Sequence, residues 1–117
     1  MELLKKNELE IVDIVTPIAK SMADAWSNDD YQSFIGYFED SKKSLLTEDD
    51  FKTQRSWVAD ELGSYSIHKI QTIHKNPDNL VITWKVSFSN RRELGLGIYR
   101  FKEKYNEIVV SSCIYFH

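Results

Sequence analysis

Leu80-Val81-Ile82-Thr83-Trp84-Lys85-Val86-Ser87-Phe88 is the stretch on which the fold turns. Leu80, Ile82, Trp84, Val86 and Phe88 make one row of large apolar side chains, and Val81, Thr83, Lys85 and Ser87 make a mixed row between them. A strict period of two in β-branched and aromatic residues marks a half-buried strand. Asn76-Pro77-Asp78-Asn79 before it and Asn90-Arg91-Arg92-Glu93 after it read as turns. Residues 94–103 and 108–116 supply two more strands, joined by a turn at Lys104 to Glu107, and residues from about 65 to 75 supply another before the first turn. The sum is a four-stranded antiparallel meander. Gly95 and Gly97 are expected to mark a bulge or sharp bend, so side-chain parity is not carried across them.

Upstream of Gly63 the period changes to that of a helix. Ile11, Val15, Ile18, Met22 and Trp26 follow one another at steps of three and four, which gathers them on one face of a helix within residues 9–27. Thr16-Pro17 reads as a cap followed by a favoured first helical position, so a kink or restart is expected there. Asn28, Asp29 and Asp30 then end that helix and cap a second over 29–38, with Tyr31, Phe34, Ile35 and Phe38 as its stripe and Gly36 as its weak point. Residues 39–46 form a linker able to hold a short strand. Thr47-Glu48-Asp49-Asp50 approximates a capping box for a third helix over 48–62, in which Phe51, Val58 and Leu62 are apolar. Gly63 stands where a left-handed C-cap belongs. Helices first and strands after give an α+β domain with the helices packed on one face of a curved four-stranded antiparallel sheet.

At 117 residues the chain has the length of one domain, residues 1–117, and at that size roughly two-thirds of the unfolded surface can be buried. The lone cysteine, Cys113, excludes an internal disulfide and every multi-cysteine zinc pattern. No apolar run of signal-peptide length follows Met1 to Asn7, because Glu8, Glu10 and Asp13 interrupt it, and a cytoplasmic location is the expectation. No uncharged apolar stretch nears the roughly 20 residues that span a bilayer. Charge is uneven: residues 1–63 carry 14 acids and 7 bases, and residues 64–117 carry 4 acids and 8 bases. Either the two halves pack together and offset each other's field, or the basic half meets an anionic ligand or acidic partner. Nucleic acid is not expected, since the bases are scattered and form no Lys/Arg run.

Ala25-Trp26-Ser27-Asn28-Asp29-Asp30-Tyr31, followed by Phe34 and Tyr37-Phe38, resembles the helix-turn-helix opening of the nuclear transport factor 2-like superfamily. Leu46-Thr47, Phe51 and Leu62-Gly63-Ser64-Tyr65 resemble its third helix and the exit into its sheet, as in small bacterial members of unassigned function. The resemblance covers nearly the whole chain. It implies a cystatin-like cone, a curved sheet wrapped around a long helix with an internal pocket, and a dimer formed through the sheet. Some such proteins are isomerases, polyketide cyclases or dehydratases; others bind ligands or act as adaptors.

An isomerase-like or cyclase-like member takes a proton next to a carbonyl and needs a carboxylate or histidine in the pocket. The expected strand interiors contain no Asp or Glu: Asp78, Glu93, Glu103 and Glu107 fall in turns or at strand ends. Asp13, Asp24, Asp60 and Glu61 on the helices are the remaining acids within reach, and each reads more simply as a solvated residue. His68 and His74 share parity on the first strand with Ile70 and Thr72, and at six residues apart they lie about 20 Å from each other, too far to share a metal. His68 is the single candidate base. No metal and no cofactor are expected. Cys113 reads as a small strand residue without reactivity, and His117 as a mobile end.

Six Tyr, six Phe and three Trp are the excess that bears on function. Trp57 lies one residue off its helix stripe, so it faces either the cone mouth or the helix flank. Trp57, Trp84, Tyr99 and Tyr115, with His68, are the candidate pocket residues, suited to a small, flat apolar ligand; the opposing expectation is a filled cone. The reading these residues give is a non-enzymatic binding domain, for an apolar ligand or a protein partner, forming a homodimer through the sheet. The alternatives are a pocket enzyme using His68 or a helix acid, and an inhibitor-type or immunity-type protein acting through its acidic helices.

Overall fold

The computed structural model describes residues 2–117 and places a short 3-10 turn, Leu3–Lys5, before four helices and four strands. The helices are α1 (Glu8–Ser27), α2 (Tyr31–Ile35), α3 (Asp40–Lys43) and α4 (Glu48–Leu62), and the strands are β1 (Tyr65–Lys75), β2 (Leu80–Phe88), β3 (Arg91–Lys104) and β4 (Glu107–Phe116). The sheet order is β1-β2-β3-β4 with every pair antiparallel, the meander that the period-two stretches require. No helix among the described residues is long and apolar enough to cross a membrane.

Leu80, Ile82, Trp84, Val86 and Phe88 all lie on the concave face, buried against Ile11, Val15 and Met22 of α1. α1 starts at Glu8, one residue before the expected range. Asn7 caps it, accepting the Glu10 N–H at 2.9 Å while Glu10 returns a carboxylate oxygen to the Asn7 N–H at 3.3 Å. The expected restart at Thr16-Pro17 does not occur, and α1 runs through Pro17 unbroken. Pro17 and Asp13 are both exposed, so water can serve the carbonyl that the proline leaves without a donor. Ala19, Ala23 and Ala25, outside the expected stripe, are also buried, which brings the helix backbone close to the sheet.

Asp29 takes a left-handed φ of 57° and Asp30 caps α2 by accepting from Ser33 N–H at 3.2 Å. The second helix is shorter than expected. It stops at Ile35, and residues 37–39 instead run alongside β4, where Val110 N–H donates to Tyr37 at 2.9 Å and Glu39 N–H to Val110 at 3.0 Å. The Phe38–Val110 bridge is parallel and isolated, and the linker beyond it holds one helical turn, α3, rather than a strand. Glu39 is 3% exposed and accepts from Lys104 at 2.8 Å, with Lys102 at 3.7 Å. The Lys104 ammonium holds this carboxyl below the usual carboxylate range despite its desolvation, and its own pKa is raised in turn.

Both sides of the Thr47/Asp50 capping box form. Arg55 of α4 donates Nε to the Trp26 carbonyl and Nη2 to the Ser27 carbonyl at 3.2 Å, and it pairs with Asp29 at 3.2 Å, so a cation from α4 closes the C-terminus of α1. Two register shifts in β1 overturn the expected parity. Tyr65, Ile67, Ile70 and Ile73 pair with the core row of β2, whereas His68, Thr72 and His74 face outward, so Ile70 does not share a face with the histidines. Gly97 pairs in register with Trp84, and Gly95, opposite Val86, adjoins the irregularity that separates this pair from Phe88–Arg91, so the expected bulge lies just before Gly95. A Cβ on Gly95 would meet the Phe88 ring at 2.7 Å, so the position makes room for a core aromatic. The turn into β3 is tighter than expected, since β3 already begins at Arg91, and the turn into β4 holds Tyr105 and Asn106 at φ 53° and 64°.

Gly63 has positive φ as expected, but its ψ of −140° places it in a region that only glycine visits readily, and not in the left-handed helical one. A Cβ there would also collide with Ser89 Oγ and come within 2.9 Å of the Asn90 side chain. Gly63→Ala should therefore lower stability by about 2 kcal/mol or more, from backbone strain and the forced loss of the Ser64 N–H to Ser89 Oγ contact at 2.9 Å. Urea unfolding of the two proteins measures it, and an unchanged midpoint contradicts this account of the helix-to-sheet switch.

Candidate functional site

The first link in the site is the end of α1. Because Arg55 and the Asn28–Asp30 turn fix that end, the Trp26 ring packs 5.8 Å from Phe34, 5.2 Å from Phe51 and 6.0 Å from Tyr65. α2 and α4 are thereby held apart from the edge strand β4, and a cleft of about 460 Å³ opens between them. Its floor is Trp26, Phe34 and Tyr65; one wall is Gln54, Trp57 and Val58 of α4, and the other is Ser112 to Tyr115 of β4. Phe38, Leu46 and His117 complete the rim. Trp57 stands 72% exposed at the mouth.

Of the five candidate pocket residues, the structure brings two to this cleft, Trp57 and Tyr115. Trp84 and Tyr99 are fully buried in the sheet core, edge to face at 5.2 Å, and line nothing. Trp84 occupies the middle of the apolar row of β2, which α1 covers, and its indole N–H has no partner among the described residues. His68 is on the outer face of the sheet, 2.6 Å from Ser87 Oγ, because it alternates with Tyr65 and Ile67 of the core row; the shift that follows it brings Ile70, not His68, to the inner face. Asp13, Asp24, Asp60 and Glu61 are all exposed and none lines the cleft. Trp26, Phe34, Tyr65, Val58 and His117 carry more of the cleft than the sequence indicated. Trp26 and Phe34 read as core stripe, and only the β4 edge, unknown until the sheet order is seen, reveals that their outer sides face a cavity.

The electrostatics of the cleft are those of a neutral surface. No Asp, Glu, Lys or Arg lines it. Tyr99 and Tyr115 share a hydroxyl–hydroxyl hydrogen bond, and the Tyr99 hydroxyl also lies 3.4 Å from the Ala19 carbonyl. Burial pushes both phenols well up from their ordinary value, and it raises Tyr65 as well. Cys113 is half-buried as a residue of an edge strand, but its sulfur lies against the two tyrosine hydroxyls, and desolvation pushes the thiol up to about 12. The three of these groups that line the cleft, Tyr65, Cys113 and Tyr115, are thus protonated near neutrality, and the Tyr115 hydroxyl and Cys113 thiol are already engaged with the Tyr99 hydroxyl. Among the described residues no group of three or more His, Cys, Asp and Glu side chains is placed to hold a metal ion.

No family model and no curated protein matches the chain. Solved structures do. The fold is similar to that of an NTF2-like protein of unknown function from Shewanella oneidensis, with a TM-score of 0.61 at 11% identity over 89% of this chain and 97% of the other. It is equally similar, at 0.61 and 16% identity over 85% and 98%, to an NTF2-like protein from Campylobacter jejuni provisionally named a transpeptidase. Bd1075 of Bdellovibrio bacteriovorus matches at 0.56 and 10% identity, over 91% of this chain and 40% of the other. The fold is therefore the NTF2-like cone.

Cys113 should be nearly inert in the folded protein. At pH 8 a thiol with a pKa of about 12 presents about one thiolate in ten thousand, so an aromatic disulfide reagent should react at least about 100-fold more slowly than in urea. Native and unfolded rates within tenfold of each other would contradict the buried position of the sulfur.

Proposed function

We propose that this NTF2-like domain is a non-catalytic binding protein that receives a small, flat apolar group in the cleft between α4 and β4. The observation that carries the reading is the lining itself: aromatic walls with the neutral Tyr65 and Tyr115 hydroxyls and Cys113 thiol among them, and no Asp, Glu, Lys or Arg. A proton-abstracting enzyme needs a base beside its substrate; the sheet's candidate for it, His68, faces the other way, and the one imidazole in the lining, His117, stands at the rim against Phe88. An acyl-transfer reaction of the transpeptidase kind needs an activated nucleophile, and the Cys113 thiol is tuned in the opposite direction. Trp57 is the feature that a merely filled cone does not account for, since a large ring left 72% exposed costs solubility unless something covers it.

We propose further that the chain forms a homodimer through the outer face of the sheet. Leu96 and Ile98 of β3 stand beside Ile114 and Phe116 of β4 on that face, and the last two are 51% and 53% exposed. Of the cations of the face, Lys85 lies on β2 opposite Leu96 and Arg100 lies on β3 opposite Ser112, so both flank an interface centred on Ile98 and Ile114.

Nile red, a flat neutral dye, tests the cleft. It should bind with enhanced fluorescence, Trp57→Ala should weaken it by about 1 kcal/mol, and His68→Ala should leave it unchanged within about 1 kcal/mol. Equal binding by the Trp57→Ala protein, or loss in the His68→Ala protein, contradicts the assignment. Sedimentation tests the dimer: the parent should sediment as a dimer at tens of micromolar and Phe116→Lys as a monomer. A parent that is only monomeric there overturns it.

A further inference from the structure

The two edges of the sheet are built differently. β1 is an edge guarded in the ways that sheets usually are: it carries Lys69 and Lys75, exposes His68 and His74, and is broken by two register shifts. β4 has no charge and no proline from Ile108 to Phe116, and its one irregularity lies opposite Arg100 and Phe101. Along its outer side a single residue, Val110, is paired, by the 37–39 segment that then turns away into α3. From Ser112 to Phe116 the outer side has no backbone partner among the described residues. That same stretch is the wall of the cleft.

We infer that an extended peptide segment of a partner protein docks along Ser112–Phe116 as a fifth strand of the sheet, with alternate apolar side chains in the cleft and basic residues at its ends. The inference deepens the reading of the cleft as a binding site and rests on it. Three observations select this occupant. The edge already accepts a strand at Val110, and an added segment continues that pairing along the line that residues 40–43 vacate. Five residues of open edge extend over about 17 Å, a length that offers a peptide main-chain hydrogen bonds a compact dye cannot use. The α4 side of the cleft carries one acid without a cation beside it: Asp50 lies on the same face of α4 as Gln54, Trp57 and Val58, the helix's cations, Lys52 and Arg55, are turned to Asp29, and Glu61 on that face is paired with Arg91 at 3.5 Å. A basic-ended segment meets that field favourably and an acidic one does not.

A labelled, end-blocked peptide of alternating phenylalanine and threonine with a lysine pair at each end is the probe, read by fluorescence anisotropy alongside Nile red. The parent peptide should bind and displace the dye. Of two versions N-methylated on opposite edges, one should lose at least about tenfold in affinity and the other stay within about threefold, because only one edge of an added strand donates to β4. Replacing the lysines by glutamates should weaken binding at least about threefold. Two methylated versions that both bind like the parent overturn strand addition. Dye binding that persists without any peptide binding overturns it while leaving the cleft assignment intact; loss of both removes both. An edge occupied by a second copy would show as a dimer that dissociates in Ser112→Lys but not in Phe116→Lys, and that result also overturns the inference.

Discussion

Trp26 is the contact on which the arrangement depends. Its ring meets Phe34 of α2, Phe51 of α4, Tyr65 of β1 and, at 6.3 Å, Tyr115 of β4, so one side chain ties the long helix to two other helices and to both edges of the sheet. Its carbonyl is the acceptor for Arg55. Each aromatic contact contributes about 0.5–1.5 kcal/mol beyond the area it buries, and the four share one rotamer. The floor of the cleft is therefore set by the same contacts that set the fold, and it is rigid where the edge strand beside it is open.

The uneven charge of the chain resolves mostly into this packing. Acids of the helical half meet bases of the sheet half at Glu39 with Lys104 and Lys102, and at Glu61 with Arg91. The first of these matters most, because Glu39 is the one buried charged residue among those described and it anchors the segment that pairs with Val110. What remains is an acidic α4 surface on one side of the cleft and a sheet outer face whose charges are cationic. The two sides of the domain thus present different chemistry to any partner.

The period change at Gly63 made the α+β order and the meander legible, and the capping box at Thr47 placed α4 to the residue. Local signals failed where tertiary structure overrode them. The Thr16-Pro17 pair looks like a helix start, but Asn7 caps the helix and an exposed proline is tolerated inside it. Phe38 reads as the end of a helical stripe, yet its backbone is taken by β4. The site was half legible. Trp57 stood out because it lay off its stripe, and Tyr115 because it was aromatic on the last strand. Trp84 and Tyr99 share those attributes and are core, since aromatic composition does not tell a lining from a filling. His68 alternates with Tyr65 and Ile67 and so faces outward, and the shift after it, which no residue type announces, breaks the parity it was expected to share with Ile70.

The central claim is that β4 beyond Val110 is an open edge beside an apolar cleft, and residue-resolved amide hydrogen exchange tests it most directly. In the free protein the Val110 amide, bonded to Tyr37, should be protected, while alternate amides between Ser112 and Phe116 should exchange at rates close to those of an unstructured chain. The lysine-flanked peptide should slow those same alternate amides at least about tenfold and leave the amides of β1 unaffected. Uniformly slow exchange from Ser112 to Phe116 in the free protein, or no slowing with the peptide bound, would contradict the account.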